Sequence, residues 1–204
     1  MALHLFVSFW AVSILFVITP GVDWAYAMSA GMWKRAVTPA VAGLLLGHLI
    51  ATLAVAAGVG ALVTETPAAL TLLTVAGALY LLWLGINMVI HPSVPAAGNV
   101  HSTGSWFTWL AKGVCVSGMN PKVFLLFLAL LPQFTDPASA WPVPLQILAL
   151  GGLHIVSCGL VYLLVGFGSG KVLQTRPRAA QRVSQISGIV MCLIALLLLA
   201  ESLF

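Results

Sequence analysis

Charge is what this chain has least of. Of its 204 residues only 8 are Lys or Arg and only 4 are Asp or Glu. A soluble domain of that length carries about 50 charged residues. So few cannot cover the surface of a globule, and a soluble enzyme is excluded. Disorder is excluded for the opposite reason: 61% of the residues are hydrophobic, too many for a chain that stays unfolded. Cysteine is scarce as well. Cys115, Cys158 and Cys192 all lie inside apolar runs. An odd count with no CxxC argues against a disulfide frame or a zinc site. They read as small buried hydrophobes, and neither metal nor cofactor is expected. HExxH and GxSxG are missing too, so no enzymatic activity is expected. No basic stripe interleaves with aromatics, which excludes a nucleic-acid partner.

What the chain has instead is apolar length, and its fold class reads as an all-α integral membrane protein. Polar punctuation divides it into six runs: about 3–32, 37–63, 68–90, 113–131, 145–168 and 183–204. Each is near the 20 or so residues that cross a bilayer. The first is too long for one straight span and is interrupted by Thr19-Pro20-Gly21. It has no basic residue ahead of it and no clear small-residue cleavage site after it, so it reads as a retained helix rather than a signal peptide. Loop charge sets the orientation. The first, third and fifth loops hold Lys34, Arg35, Lys112, Lys171, Arg176, Arg178 and Arg182, whereas the second and fourth hold only Glu65 and Asp136. The positive-inside rule puts the basic loops in the cytoplasm and both termini outside. Trp33, Trp106, Trp109 and Trp141 sit near span ends, where an aromatic belt belongs.

Three spans in each half make the halves inverted in the membrane. The expected organisation is one transporter domain, 1–204, with repeat one at 1–92, a cytoplasmic loop at 93–110 and repeat two at 111–204. Features recur in order: Thr19-Pro20-Gly21 with Asn120-Pro121-Lys122, His48 with His154, Gly77 with Gly188. Inverted repeats with Pro/Gly-broken helices at matching places are the sequence pointer to a secondary transporter's binding site. A break frees backbone groups that hydrocarbon does not tolerate unless protein or water satisfies them. The half-helix beyond it starts with unpaired N–H groups and partial positive charge, suited to a carboxylate. Lys122 lies in the middle of the fourth run, where a lysine costs roughly 2.5–3.5 kcal/mol unless it faces a wet cavity or a partner. Asp23 follows the first break. The two are candidates to face one another, or to hold the ends of a zwitterion. His48 and His154 are intramembrane imidazoles, able to carry protons or to act as struts. Gln133, after Pro132, reads as a gate or a cap. Gly43 and Gly47, at i and i+4, read as a close helix contact.

At these residues the sequence resembles the LysE/RhtB family of amino-acid exporters. The matching segments are ITPGVDWAYAMSAGMWKRAVTPAVAGLLLGHL, GALYLLWLGINM and SGMNPKVFLLFLALLPQF. The family usually has a second proline after the glycine of the first break; here Val22 stands there. The resemblance implies export of an amino acid or derivative from the cytoplasm across a bacterial-type inner membrane, driven by the proton gradient, in a possible homodimer. It also makes Thr19, Pro20, Gly21, Asn120, Pro121 and Lys122 candidates for the substrate site, beside Asp23. Alternating access around a midplane site is the expected mechanism, with a small amino-acid-like substrate, the proton and the lipid bilayer as partners. A passive channel would show rings of like charge or a polar stripe, and a scaffold would not need a central lysine. A thiol-redox carrier would need a facing pair of cysteines.

Overall fold

The computed structural model describes residues 3–31, 33–65, 67–92, 105–118, 120, 123, 127–128, 130–168 and 177–203. Every regular element among them is helical: α1 (Leu3–Ile18), α2 (Val22–Gly31), α3 (Val37–Glu65), α4 (Pro67–Ile90), α5 (Trp106–Gly118), α6 (Val143–Gly168) and α7 (Pro177–Leu203). Single 3₁₀ turns cover Lys34–Ala36 and Leu131–Phe134. Among the described residues, Val37–Gly58 and Val143–Gly168 are each long and apolar enough to cross a membrane, and α1 with α2 makes a third span bent by 58°. Ala78–Ile90 and Gly188–Leu197 are shorter apolar stretches inside α4 and α7. The surroundings of Gly77 lie outside the described residues.

Two helix starts differ from the sequence expectation. α5 begins at Trp106 rather than near Gly113, so 106–110 of the segment assigned to a loop are helical. The cause is Ser105, whose Oγ accepts the Thr108 N–H at 3.2 Å and caps the helix. α7 begins at Pro177 and carries Arg178 and Arg182 into its first turns. Proline suits a first helical position because the missing N–H has no intrahelical acceptor there.

The side chains show a buried polar set within an apolar core and a largely apolar exterior. Ser13, Asp23, His48, Thr52, Ser117, Gln146, His154 and Ser157 are buried, while Leu53, Leu72, Trp83, Val156, Leu160, Leu164, Phe167 and Leu197 are exposed. That is the partition expected when the surrounding solvent is lipid, since ionisable groups in a span face the bundle interior. α3 packs along α5 and α6, α4 pairs with α7, and α1 and α2 lie against α6.

Small residues permit these approaches. A Cβ on Gly113 would sit 2.6 Å from the Ala40 carbonyl and 3.0 Å from Gly43 Cα. On Gly47 it would sit 2.7 Å from Ser117 Cβ, so Gly43 and Gly47 are the close contact that their spacing suggested. Gly85 and Gly188 play the same part between α4 and α7: a Cβ on either would meet the other's carbonyl at 2.7 Å.

At the start of α6, Gln146 is fully buried. Its Nε2 donates to the carbonyls of Asp136 (2.9 Å) and Trp141 (2.7 Å), and its Oε1 accepts from the Asp136 N–H at 2.9 Å. One side chain thus ties the turn to α6.

Three stability outcomes follow. Gly113→Val is expected to destabilise by about 1–3 kcal/mol through overpacking. Gly58→Val, where a Cβ meets nothing within 4 Å, is expected to stay within about 0.5 kcal/mol of the parent. Gln146→Leu removes the partner of three part-buried backbone groups and is expected to lose about 1–3 kcal/mol. Reversible denaturant unfolding in mixed micelles measures all three.

Candidate functional site

The site begins with how the first span is broken. Pro20 has no N–H to give the Phe16 carbonyl, its partner four residues back. The Thr19 N–H takes that carbonyl instead, at 3.3 Å. This would leave the Leu15 carbonyl open, and the Thr19 hydroxyl donates to it at 2.5 Å. The Val17 carbonyl accepts the Trp24 indole N–H at 2.9 Å. α2 then starts with Ala25 N–H on the Gly21 carbonyl at 3.0 Å. Three carbonyls at the break are satisfied by local groups, as apolar surroundings demand.

The break delivers Asp23 to the interior. It lies in the first turn of α2, where a negative charge is favoured by the helix dipole, and it is 5% exposed. Its carboxylate accepts from the Tyr162 hydroxyl at 3.2 Å and from Asn120 Nδ2 at 3.5 Å. His48 Nε2 lies 3.7 Å from Oδ2. Asn120 belongs to the second break, where its N–H reaches the Ser117 carbonyl at 3.1 Å and its own carbonyl accepts from Val123 at 3.0 Å. The two breaks therefore meet at one carboxylate.

Two imidazoles stand behind it. His48 Nδ1 lies 2.9 Å from the Leu44 carbonyl and 2.7 Å from Ser117 Oγ. A carbonyl only accepts, so Nδ1 carries a proton and Nε2 is the atom turned to Asp23. His154 Nδ1 bonds Ser13 Oγ at 2.7 Å, and its Nε2 lies 3.3 Å from Cys158 Sγ. The two rings are 5.5 Å apart and tilted by 31°, and Phe127 packs edge-on to His154 at 5.0 Å. Phe16, Val17, Thr19, Gly21, Asp23, Trp24, His48, Asn120, Val123, Phe127, His154 and Tyr162 line a cavity of about 30 Å³. It has room for water, with apolar walls around one acid and two imidazoles.

Of the residues singled out from sequence, Thr19, Gly21, Asp23, His48, Asn120 and His154 converge on this cavity. Pro20 shapes the break beside it. Pro121 and Lys122 lie outside the described residues, and so does the expected facing of Lys122 and Asp23. Gln133 sits in the turn Leu131–Phe134 and does not line the cavity. Sequence reading missed Tyr162, Ser13, Ser117 and Cys158. Their signal was present: His154, Cys158 and Tyr162 are spaced by four, and one helix face carries all three.

Comparison with known proteins agrees with this architecture. Residues 13–202 match the LysE type translocator family. An uncharacterised membrane protein of Vibrio cholerae is 29% identical over 194 residues, covering 92% of this chain and 93% of its own. A leucine efflux protein of Klebsiella pneumoniae is 26% identical over 185 residues, 87% of this chain and 86% of its own. A homoserine/homoserine lactone efflux protein of Salmonella typhi is 31% identical over 146 residues, 71% and 70% of the two chains. No solved structure matches significantly. A match that spans nearly the whole sequence, over a helical bundle with its polar groups turned inward, decides the assignment: the chain belongs to the LysE type translocator family.

Proposed function

We propose that this protein exports a small amino acid or derivative from the cytoplasm by alternating access, in exchange for protons. The observation that carries the reading is the buried Asp23 carboxylate, reached by one helix break and met by Asn120 of the other at the wall of a cavity. Efflux proteins among its relatives support the direction and the substrate class.

The proposed architecture is one domain over 1–204 with six spans in two inverted repeats, 1–92 and 111–204, joined by a cytoplasmic loop. Both termini face outward from the inner membrane. The contacts of α3 with α6 and of α4 with α7, matching spans of the two halves, support this reading.

The substrate ammonium sits against Asp23, and its carboxylate against the backbone of the breaks near Gly21 and against Lys122. Thr19, Pro20, Asn120 and Pro121 shape that pocket. The walls contributed by Phe16, Val17, Val123 and Phe127 favour a small or apolar side chain. Coupling follows from competition. A proton on His48 Nε2 and a substrate ammonium are alternative positive partners for Asp23, 3.7 Å from that nitrogen. Each drives out the other, which is exchange. His154, against the His48 ring, lies on the proton's route. Gln133 gates the outer end. Rocking of one repeat against the other exposes the cavity to each side in turn.

Proteoliposomes loaded with single labelled amino acids test this. Efflux of a small apolar amino acid is expected to rise when the receiving side is acidified. Asp23→Asn is expected to lower it by about tenfold or more, equivalent to losing about 1.4 kcal/mol, with normal insertion. Lys122→Met is expected to impair efflux as well. Gradient-independent flux of every amino acid, unchanged in both variants, would overturn the proposal.

A further inference from the structure

We propose that His48, His154 and Cys158, with Asp23 as fourth ligand, form a binding site for a single zinc ion inside the bundle. The three side chains are buried, and their ligand atoms lie within 4.8 Å of one another. Cys158 Sγ is 3.3 Å from His154 Nε2 and 3.9 Å from His48 Nε2, and His48 Nε2 is 3.7 Å from Asp23 Oδ2. With Zn–N near 2.1 Å and Zn–S near 2.3 Å, the ligand atoms of a tetrahedral zinc stand about 3.3–3.7 Å apart. Those three distances are already near that spacing; the Asp23 carboxylate, outside the three-residue cluster, would move in on binding.

The orientation of the rings is an independent argument. A metal-bound imidazole usually donates its other N–H to a neighbouring acceptor, which fixes the tautomer. Both rings have that support: His48 Nδ1 on the Leu44 carbonyl and Ser117, His154 Nδ1 on Ser13. In each ring it is Nε2 that is turned toward Cys158. His154 and Cys158 stand at i and i+4 on α6, the spacing that puts two ligands on one helix face.

Charge selects the ion. Zinc binding displaces the thiol proton of Cys158, and that proton leaves with solvent. A thiolate and the Asp23 carboxylate then balance Zn²⁺, with two neutral imidazoles completing the shell, so the site is neutral in an apolar interior. Cu⁺ would need only the thiolate and would leave Asp23 in excess. Counting cysteines pointed away from zinc; a His₂Cys set drawn from two helices escapes such a count. The ion would fasten α2, α3 and α6 together. Because it takes the Asp23 and His48 atoms that the proposed export uses, a bound ion and the substrate exclude one another and zinc would hold the carrier closed; the binding test does not depend on transport.

The test uses the full chain in detergent micelles. One Zn²⁺ per chain is expected in competition with a chromophoric chelator, with a rise in the thermal unfolding midpoint. Co²⁺ in its place is expected to give a thiolate charge-transfer band. Cys158→Ser is expected to abolish that band, and Ser13→Ala to weaken binding by about tenfold or more. The double variant Cys115→Ser/Cys192→Ser, which keeps Cys158 as its one thiol, is expected to retain it. No zinc uptake by the parent protein, loss of the band in the double variant, or uptake of Cu⁺ without Zn²⁺ would each overturn the assignment.

Discussion

A carboxylate held away from water must be met by donors from the protein, and meeting Asp23 dictates how this bundle is assembled. Tyr162 comes from α6, His48 from α3 and Asn120 from beyond the end of α5. No single helix could supply all three, so the acid can be satisfied only when α2, α3, α6 and the second break are in place together. The 58° bend at Thr19-Pro20-Gly21 is part of the same arrangement. It sets α2 on a course of its own, with Asp23 in the first turn, where the helix dipole assists the charge. Because the break satisfies its own carbonyls through Thr19 and Trp24, its cost is contained locally.

The rest of the polar inventory follows that seam. Ser13 holds His154, Ser117 holds His48, and the Trp10 indole N–H reaches Ser157 at 3.3 Å. Tyr26 donates to the Trp109 carbonyl at 2.6 Å, tying α2 to α5. These bonds join helices whose outward faces are apolar and gain nothing from one another by hydrophobic exclusion when lipid is the surroundings. Association then rests on close backbone approach at Gly43, Gly113, Gly85 and Gly188 and on interhelical hydrogen bonds.

Much of this was legible in the sequence. Scarce charge and long apolar runs declared a membrane protein, and Thr19-Pro20-Gly21 declared a broken first span, because proline's missing donor has the same effect wherever the helix lies. Asp23, His48, His154 and Asn120 stood out because each is costly in apolar surroundings. The helix starts at Trp106 and Pro177 were less legible, since polar capping residues lie outside the apolar signal that marks a span. Gln146 was invisible for a related reason. Its importance comes from three backbone partners in a turn that no periodicity announces. Tyr162 and Cys158 looked like ordinary members of an apolar run.

Sequence alone determined which residues could not be left in lipid and where the first helix had to give way, because desolvation and the geometry of proline are properties of single residues. Tertiary structure decided which of those residues would meet. His48 could have faced any neighbour; it faces Asp23 on one side and Cys158 on the other because α3 packs against both α2 and α6, with Leu44 and Ser117 holding its ring. Distances between helices depend on side-chain volumes summed over the whole bundle. No local pattern carries that sum, so the meeting of acid, imidazoles and thiol emerges only when the helices pack.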